Sequence, residues 1–159
     1  MLKKQNEMNK GERILSTALI ALMVLTLSFI FIQSLLPPTV SKGESDALAG
    51  FLSLILPPDG FILRNLRSIA HFIEFGVLGG EIALYILLFS PYTYKLAALS
   101  PVLGLIVAFI DETIQIFSGR AAEITDVWTD LFGFSSFVAI VMAVFLLITA
   151  LSKKDEING

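Results

Sequence analysis

The chain contains no cysteine, which excludes disulfides, thiolate metal sites and a cysteine nucleophile. Charge is scarce as well. Only 16% of its 159 residues are Asp, Glu, Lys or Arg, against roughly 25% in a soluble domain. A single histidine, His71, leaves little room for histidine-based relays. Neither a G-x-S-x-G nucleophile elbow nor a Gly-rich phosphate loop occurs. Basic surface is lacking too: the net charge of −3 carries no electrostatic footprint for nucleic acid. Internal repeats and low-complexity runs are absent.

Apolar residues dominate instead: 55% of the chain is hydrophobic, with 13 phenylalanines. A bilayer crossing takes about 20 mostly apolar residues, and four stretches qualify, at about 14–36, 67–89, 95–117 and 124–151. The first follows Lys3, Lys4, Lys10 and Arg13, as a secretory signal would. Its apolar run exceeds the roughly 7–15 residues of a signal core and has no A-x-A-like cleavage site, so it reads as a retained helix. Pro37-Pro38 ends the first span, Ser90-Pro91 separates the second from the third, and Ser118-Gly119 separates the third from the fourth. Pro101 either kinks the third span or forms its first turn. The expectation is an all-α polytopic membrane protein, one unit over residues 1–159, in which the first helix is the least polar and packs peripherally.

Between the first two spans lies ALAGFLSLIL (residues 47–56), too short to cross. It reads as a short interfacial helix in the first external loop, or as a loop with an apolar patch. Lysine and arginine placement sets orientation. With the N-terminus inside, seven of the 11 basic residues fall on the cytoplasmic side, and Lys42, Arg64, Arg67 and Arg120 fall outside. Both termini are therefore expected in the cytoplasm.

Polar residues then stand out where lipid is expected. His71, Glu74, Asp111, Glu112, Gln115, Glu123, Asp126 and Asp130 fall at the outer ends of the last three spans. A charge in a bilayer costs at least ~2.5–3.5 kcal/mol, so such residues usually face one another. Arg67, His71, Glu74 and Glu81 share one helical stripe. His71 and Glu74 read as a ligand pair, a hydrogen-bonded pair or half of a substrate site. Glu81, roughly 15 Å further along the helix, reads as a neutral, hydrogen-bonded carboxyl. Adjacent Asp111 and Glu112 need a proton, a cation or an arginine to offset them. Arg120 is either that partner or a ligand for an external phosphate or carboxylate. Thr125 or Asp126 suits the start of the fourth span as an N-cap. Gly76, Gly79 and Gly80 form a small-residue face for close helix packing, with Gly76 and Gly80 also a candidate homo-oligomer contact.

Two segments then resemble a known family. RSIAHFIEFGVLG (residues 67–79) and DETIQIFSGRAAEITDVWTDLFG (residues 111–133) are similar to the hallmarks of VanZ-like membrane proteins. The matching positions are His71, Phe72, Glu74, Asp111, Glu112, Gln115, Phe117, Arg120, Asp126, Asp130 and Gly133. The chain departs at Ser68, where the family often has lysine, at Ser118, where proline is common, and at Asp130, where asparagine is frequent. The resemblance implies a small polytopic protein of the bacterial cell envelope. It also implies a link to low-level resistance to the lipoglycopeptide teicoplanin.

Three functions follow as expectations. The first is a non-enzymatic pocket, facing outward, that binds an envelope lipid or lipoglycopeptide headgroup through Arg67, His71, Glu74, Asp111, Glu112, Gln115, Arg120, Asp126 and Asp130. The second is an intramembrane hydrolase or transferase acting on an envelope lipid, with His71, Glu74, Asp111 and Glu112 as catalytic candidates. Glu74, Asp111, Glu112, Asp126 and Asp130 are its candidate ligands for a divalent metal. The third is a structural polar core or a transporter.

Overall fold

A computed structural model describes residues 8–57, 60–90, 93–121 and 123–158. Lys3, Lys4 and Pro91, which entered the sequence reading, lie outside them. Among the described residues every regular element is a helix: α1 Lys10–Leu35, α2 Pro38–Leu52, α3 Phe61–Arg64, α4 Leu66–Phe89, α5 Thr93–Leu99, α6 Pro101–Phe117 and α7 Ile124–Asn158. Four helices are long and apolar enough to cross a membrane: α1, α4, the α5–α6 run Tyr94–Phe117, and α7 over Ile124–Lys154.

Local chemistry sets the helix ends. Asn9 caps α1 through a reciprocal box, accepting from the Glu12 N–H at 2.9 Å while Glu12 accepts from the Asn9 N–H at 3.0 Å. Pro37 holds Leu36 extended and stops α1. Pro38 then opens α2 at a position where its missing N–H costs nothing. Pro101 does the same for α6, so the third span is two helices joined at Ser100. α2 starts nine residues before the apolar stretch at 47–56 and reaches Leu52. Its start is fixed by Pro38 rather than by hydropathy. With 15 residues and no buried side chain, it is too short to span.

The bundle is built on α4 and α7. Phe72 meets Gly133, Gly76 meets Phe137, and Gly80 meets Val141. These pairs advance in the same sense along both helices, so α4 and α7 run parallel, with α5–α6 returning the chain between them. The approach is close enough that a Cβ at Gly79 would stand 2.5 Å from the Phe134 carbonyl oxygen. A Cβ at Gly133 would strike the Phe72 carbonyl. Glycine is therefore required sterically at both positions. The Gly76–Gly80 face is covered by Phe137 and Val141 of the same chain.

Phe75, Leu78, Ala108, Val127, Phe134 and Val138 form the buried core, with Ile30 of α1. Apolar side chains such as Leu25, Ile32, Phe109, Phe132 and Leu147 remain exposed, an apolar exterior that suits a lipid surround and not water. α1 is largely exposed along its length, as expected of a peripheral helix. Its C-terminal end departs from that expectation, with Ile30 and Ser34 fully buried.

Candidate functional site

The polar ends of α1, α4, α6 and α7 meet at one end of the bundle. Asp111 on α6 is at the centre. It is fully buried and accepts from the Ser34 hydroxyl of α1 on one oxygen. Its other oxygen accepts from the Gln115 side-chain amide at 2.6 Å. Gln115 in turn accepts from Arg67 of α4 at 2.8 Å. The same Arg67 nitrogen lies 3.4 Å from Asp126 in the first turn of α7. Four helices are thus tied by one chain of polar contacts, which offsets the cost of burying each group.

His71 and Asp130 form a second pair. Nδ1 of His71 lies 3.3 Å from Asp130 Oδ1, and the Asp130 side chain is fully buried. The two are close without being aligned: among the described residues neither His71 Nδ1 nor either Asp130 oxygen makes a hydrogen bond of good geometry. His71, Asp111 and Asp130 each offer a ligating atom, and these atoms all lie within 4.8 Å of one another.

Arg120 is positioned by the end of α6. Gly119 takes a left-handed φ of 83°. Its N–H bonds Ile116 at 3.1 Å while the Arg120 N–H bonds Gln115 at 3.0 Å, the paired bonds of a Schellman cap. Glycine fits that turn at no steric cost. The Arg120 guanidinium therefore swings back over the site, where among the described residues it donates one long bond, 3.4 Å, to the Gln33 carbonyl. Burial lowers its pKa from the usual arginine value, and the nearby Arg67 charge acts in the same direction. Arg120 was a candidate partner for Asp111 and Glu112 on sequence. Among the described residues it forms no ion pair with either, and Arg67 takes the ion-pairing role, with Asp126.

Glu112 and Glu123 make their hydrogen bonds at the α6–α7 connection. Glu112 accepts from the Glu123 N–H at 3.0 Å, which braces the α6–α7 connection. The Glu123 side chain reaches Thr125 at 3.4 Å. α7 begins at Ile124, so Thr125 and Asp126 lie inside its first turn and neither caps it. Glu81 is separate. It is buried deep on α4 and accepts from Thr26 of α1 at 2.9 Å.

A cavity of about 220 Å³ opens beside the cluster. Its polar wall includes Gln33, Glu44, Arg67, His71, Glu74 and Arg120, and α2 closes one side. An apolar groove of about 350 Å³ follows α1 and α4 past Leu25, Thr26, Ile73 and Val77. Phe29 and Glu74 line both spaces, so the polar cavity and the apolar groove adjoin.

Sequence reasoning missed the contribution of α1 and α2. Gln33 and Ser34 were the available signal, as adjacent polar residues near the end of the first span. Ser118, a departure from the family pattern, has a local use: its hydroxyl lies 2.9 Å from both the Ser34 and Gln115 carbonyls.

A family model described as VanZ/LLP1 matches residues 14–149, most of the chain. No curated protein and no solved structure matches.

Proposed function

The chain belongs to the VanZ/LLP1 family, and from that membership we propose a multi-pass envelope protein that binds an amphiphile from the outer leaflet. The headgroup occupies the polar cavity and an acyl chain lies in the adjoining groove. One observation carries this reading: a cavity with two guanidiniums joins an apolar groove at Phe29 and Glu74. Arg67 and Arg120 suit a phosphate or carboxylate, which the planar guanidinium fork matches. Glu44 and Glu74 suit the amines or hydroxyls of the same headgroup. The distribution of basic residues supports cytoplasmic termini, and with them a cavity that faces outward. Binding there would lower susceptibility to a lipoglycopeptide such as teicoplanin, either by holding the drug or by masking a lipid it needs.

Native mass spectrometry of the protein with short-chain phosphatidylglycerol or with teicoplanin tests this reading. The expected result is one bound amphiphile, weakened about 10–100-fold by Arg120→Ala, as loss of a charge-assisted hydrogen bond implies. Equal binding by both proteins, for both probes, would contradict it. Selective retention of one probe identifies the source.

A further inference from the structure

We infer that His71, Asp111 and Asp130 form a binding site for a divalent transition-metal ion of the Zn²⁺ or Mn²⁺ kind. The three residues come from α4, α6 and α7, and their ligating atoms fall within 4.8 Å of one another. Asp130 supplies the second, independent observation. Its side chain is fully buried, yet among the described residues neither carboxylate oxygen accepts a well-aligned hydrogen bond, and the His71 Nδ1 that faces it at 3.3 Å makes none either. A buried carboxylate without a donor is costly and rare in folded proteins. A cation between the two residues would satisfy all three atoms.

For the His71–Asp130 pair, geometry and donor type agree. Two ligands at zinc-like bond lengths of about 2.0–2.1 Å in a tetrahedral shell stand about 3.3 Å apart. The His71–Asp130 separation is 3.3 Å. One imidazole nitrogen with two carboxylates suits zinc or manganese, whereas magnesium and calcium favour all-oxygen shells.

The surroundings resemble an outer shell. Asp111 is oriented by the Ser34 hydroxyl and the Gln115 amide, and Gln115 is itself held by Arg67. Such partners fix a ligand's direction and basicity. Charge points the same way. Asp111, Asp130, Glu74, Asp126 and Glu112 share this end of the bundle with the two cationic side chains Arg67 and Arg120 and with His71. The carboxylates are in excess even with Arg67 committed to Asp126.

His71 lines both this site and the headgroup cavity, but the metal test is separable because it is made on lipid-free protein. The full chain in detergent is stripped with EDTA, then titrated with Zn²⁺ and, separately, Mn²⁺. Bound metal is quantified by mass spectrometry and thermal unfolding is followed in parallel. The expected result is one ion per chain, with a raised unfolding temperature. Asp130→Asn and His71→Gln each weaken binding more than about 10-fold. Ser34→Ala weakens it by about 10–100-fold, as for other outer-shell partners. Glu81→Gln, on α4 but away from the site, binds as the wild type does. Asp130→Asn is isosteric, and should it fail to fold, His71→Gln gives the deciding reading. Overturning results would be no stoichiometric metal in the wild type, or unchanged affinity in folded Asp130→Asn or His71→Gln protein. The first of these would leave a plain His71–Asp130 ion pair in its place.

Discussion

The hydroxyl of Ser34, at the end of α1, hydrogen-bonds the buried carboxylate of Asp111 on α6. That contact brings the peripheral, largely exposed helix α1 into the polar centre. Ser34→Ala removes one of two donors to a carboxylate shut off from water, and a buried acceptor left short of partners costs about 1–3 kcal/mol. Destabilisation of that size is expected in reversible unfolding. A change below about 0.5 kcal/mol would mean that Asp111 draws nothing from α1.

Gly133 sets the spacing of α4 and α7. Its missing Cβ leaves room for the Phe72 carbonyl, a backbone atom that cannot rotate aside. Gly133→Ala is therefore expected to cost about 1–3 kcal/mol or more through overpacking. It should also misplace His71 relative to Asp130, one turn away. Unfolding measurements on Gly133→Ala and Gly50→Ala separate this from a general glycine effect, since a Cβ at Gly50 meets nothing within 4 Å.

Gly119 holds the turn that aims Arg120. At a φ of 83°, a side chain costs about 1–2 kcal/mol. Gly119→Ala should lose that much stability, and Gly119→Asn less, because asparagine tolerates the left-handed region. Equal losses for the two variants would show that the turn relaxes to another conformation.

Arg67 is expected to matter for both binding and stability. Its side chain is 44% exposed, so the ion pair with Asp126 contributes under about 1 kcal/mol. Arg67→Ala also removes the donor to the buried Gln115 side chain, so it should cost about 1–3 kcal/mol of stability and bind short-chain phosphatidylglycerol at least about 10-fold more weakly. Arg67→Lys should recover only part of that, because a lysine lacks the planar fork. Full recovery with lysine would reduce the role of Arg67 to charge alone.

The spans were legible because a bilayer imposes a length and a composition that few other environments do. The meeting of His71, Asp111 and Asp130 was legible for a related reason: ionisable groups in apolar helices must find each other. What stayed hidden has physical causes as well. Ser34 and Gln33 are cheap to place at a helix end, so their type carries no signal until a partner is seen. α2 begins at Pro38, and its wall of the cavity, including Ser41, Glu44 and Ser45, has no span-like hydropathy to announce it. Pro101 fitted both a kink and a helix start, and the outcome rests on Ser100, whose hydroxyl bonds the Ala97 carbonyl at 2.7 Å. Arg67 and Arg120 exchanged roles because nearness in sequence does not decide which guanidinium reaches a carboxylate across the bundle.

The central claim is an outward cavity that holds a headgroup, and the absence of cysteine permits a direct test. Single cysteines at Ser45, in the cavity wall, and at Ser152, beside Lys153 and Lys154 near the C-terminal end of α7, are treated on intact cells with a membrane-impermeant maleimide. Rapid labelling at Ser45, slowed by short-chain phosphatidylglycerol, with none at Ser152, is the predicted result. Labelling at Ser152 but not at Ser45, or labelling at Ser45 that the lipid leaves unchanged, would contradict the account.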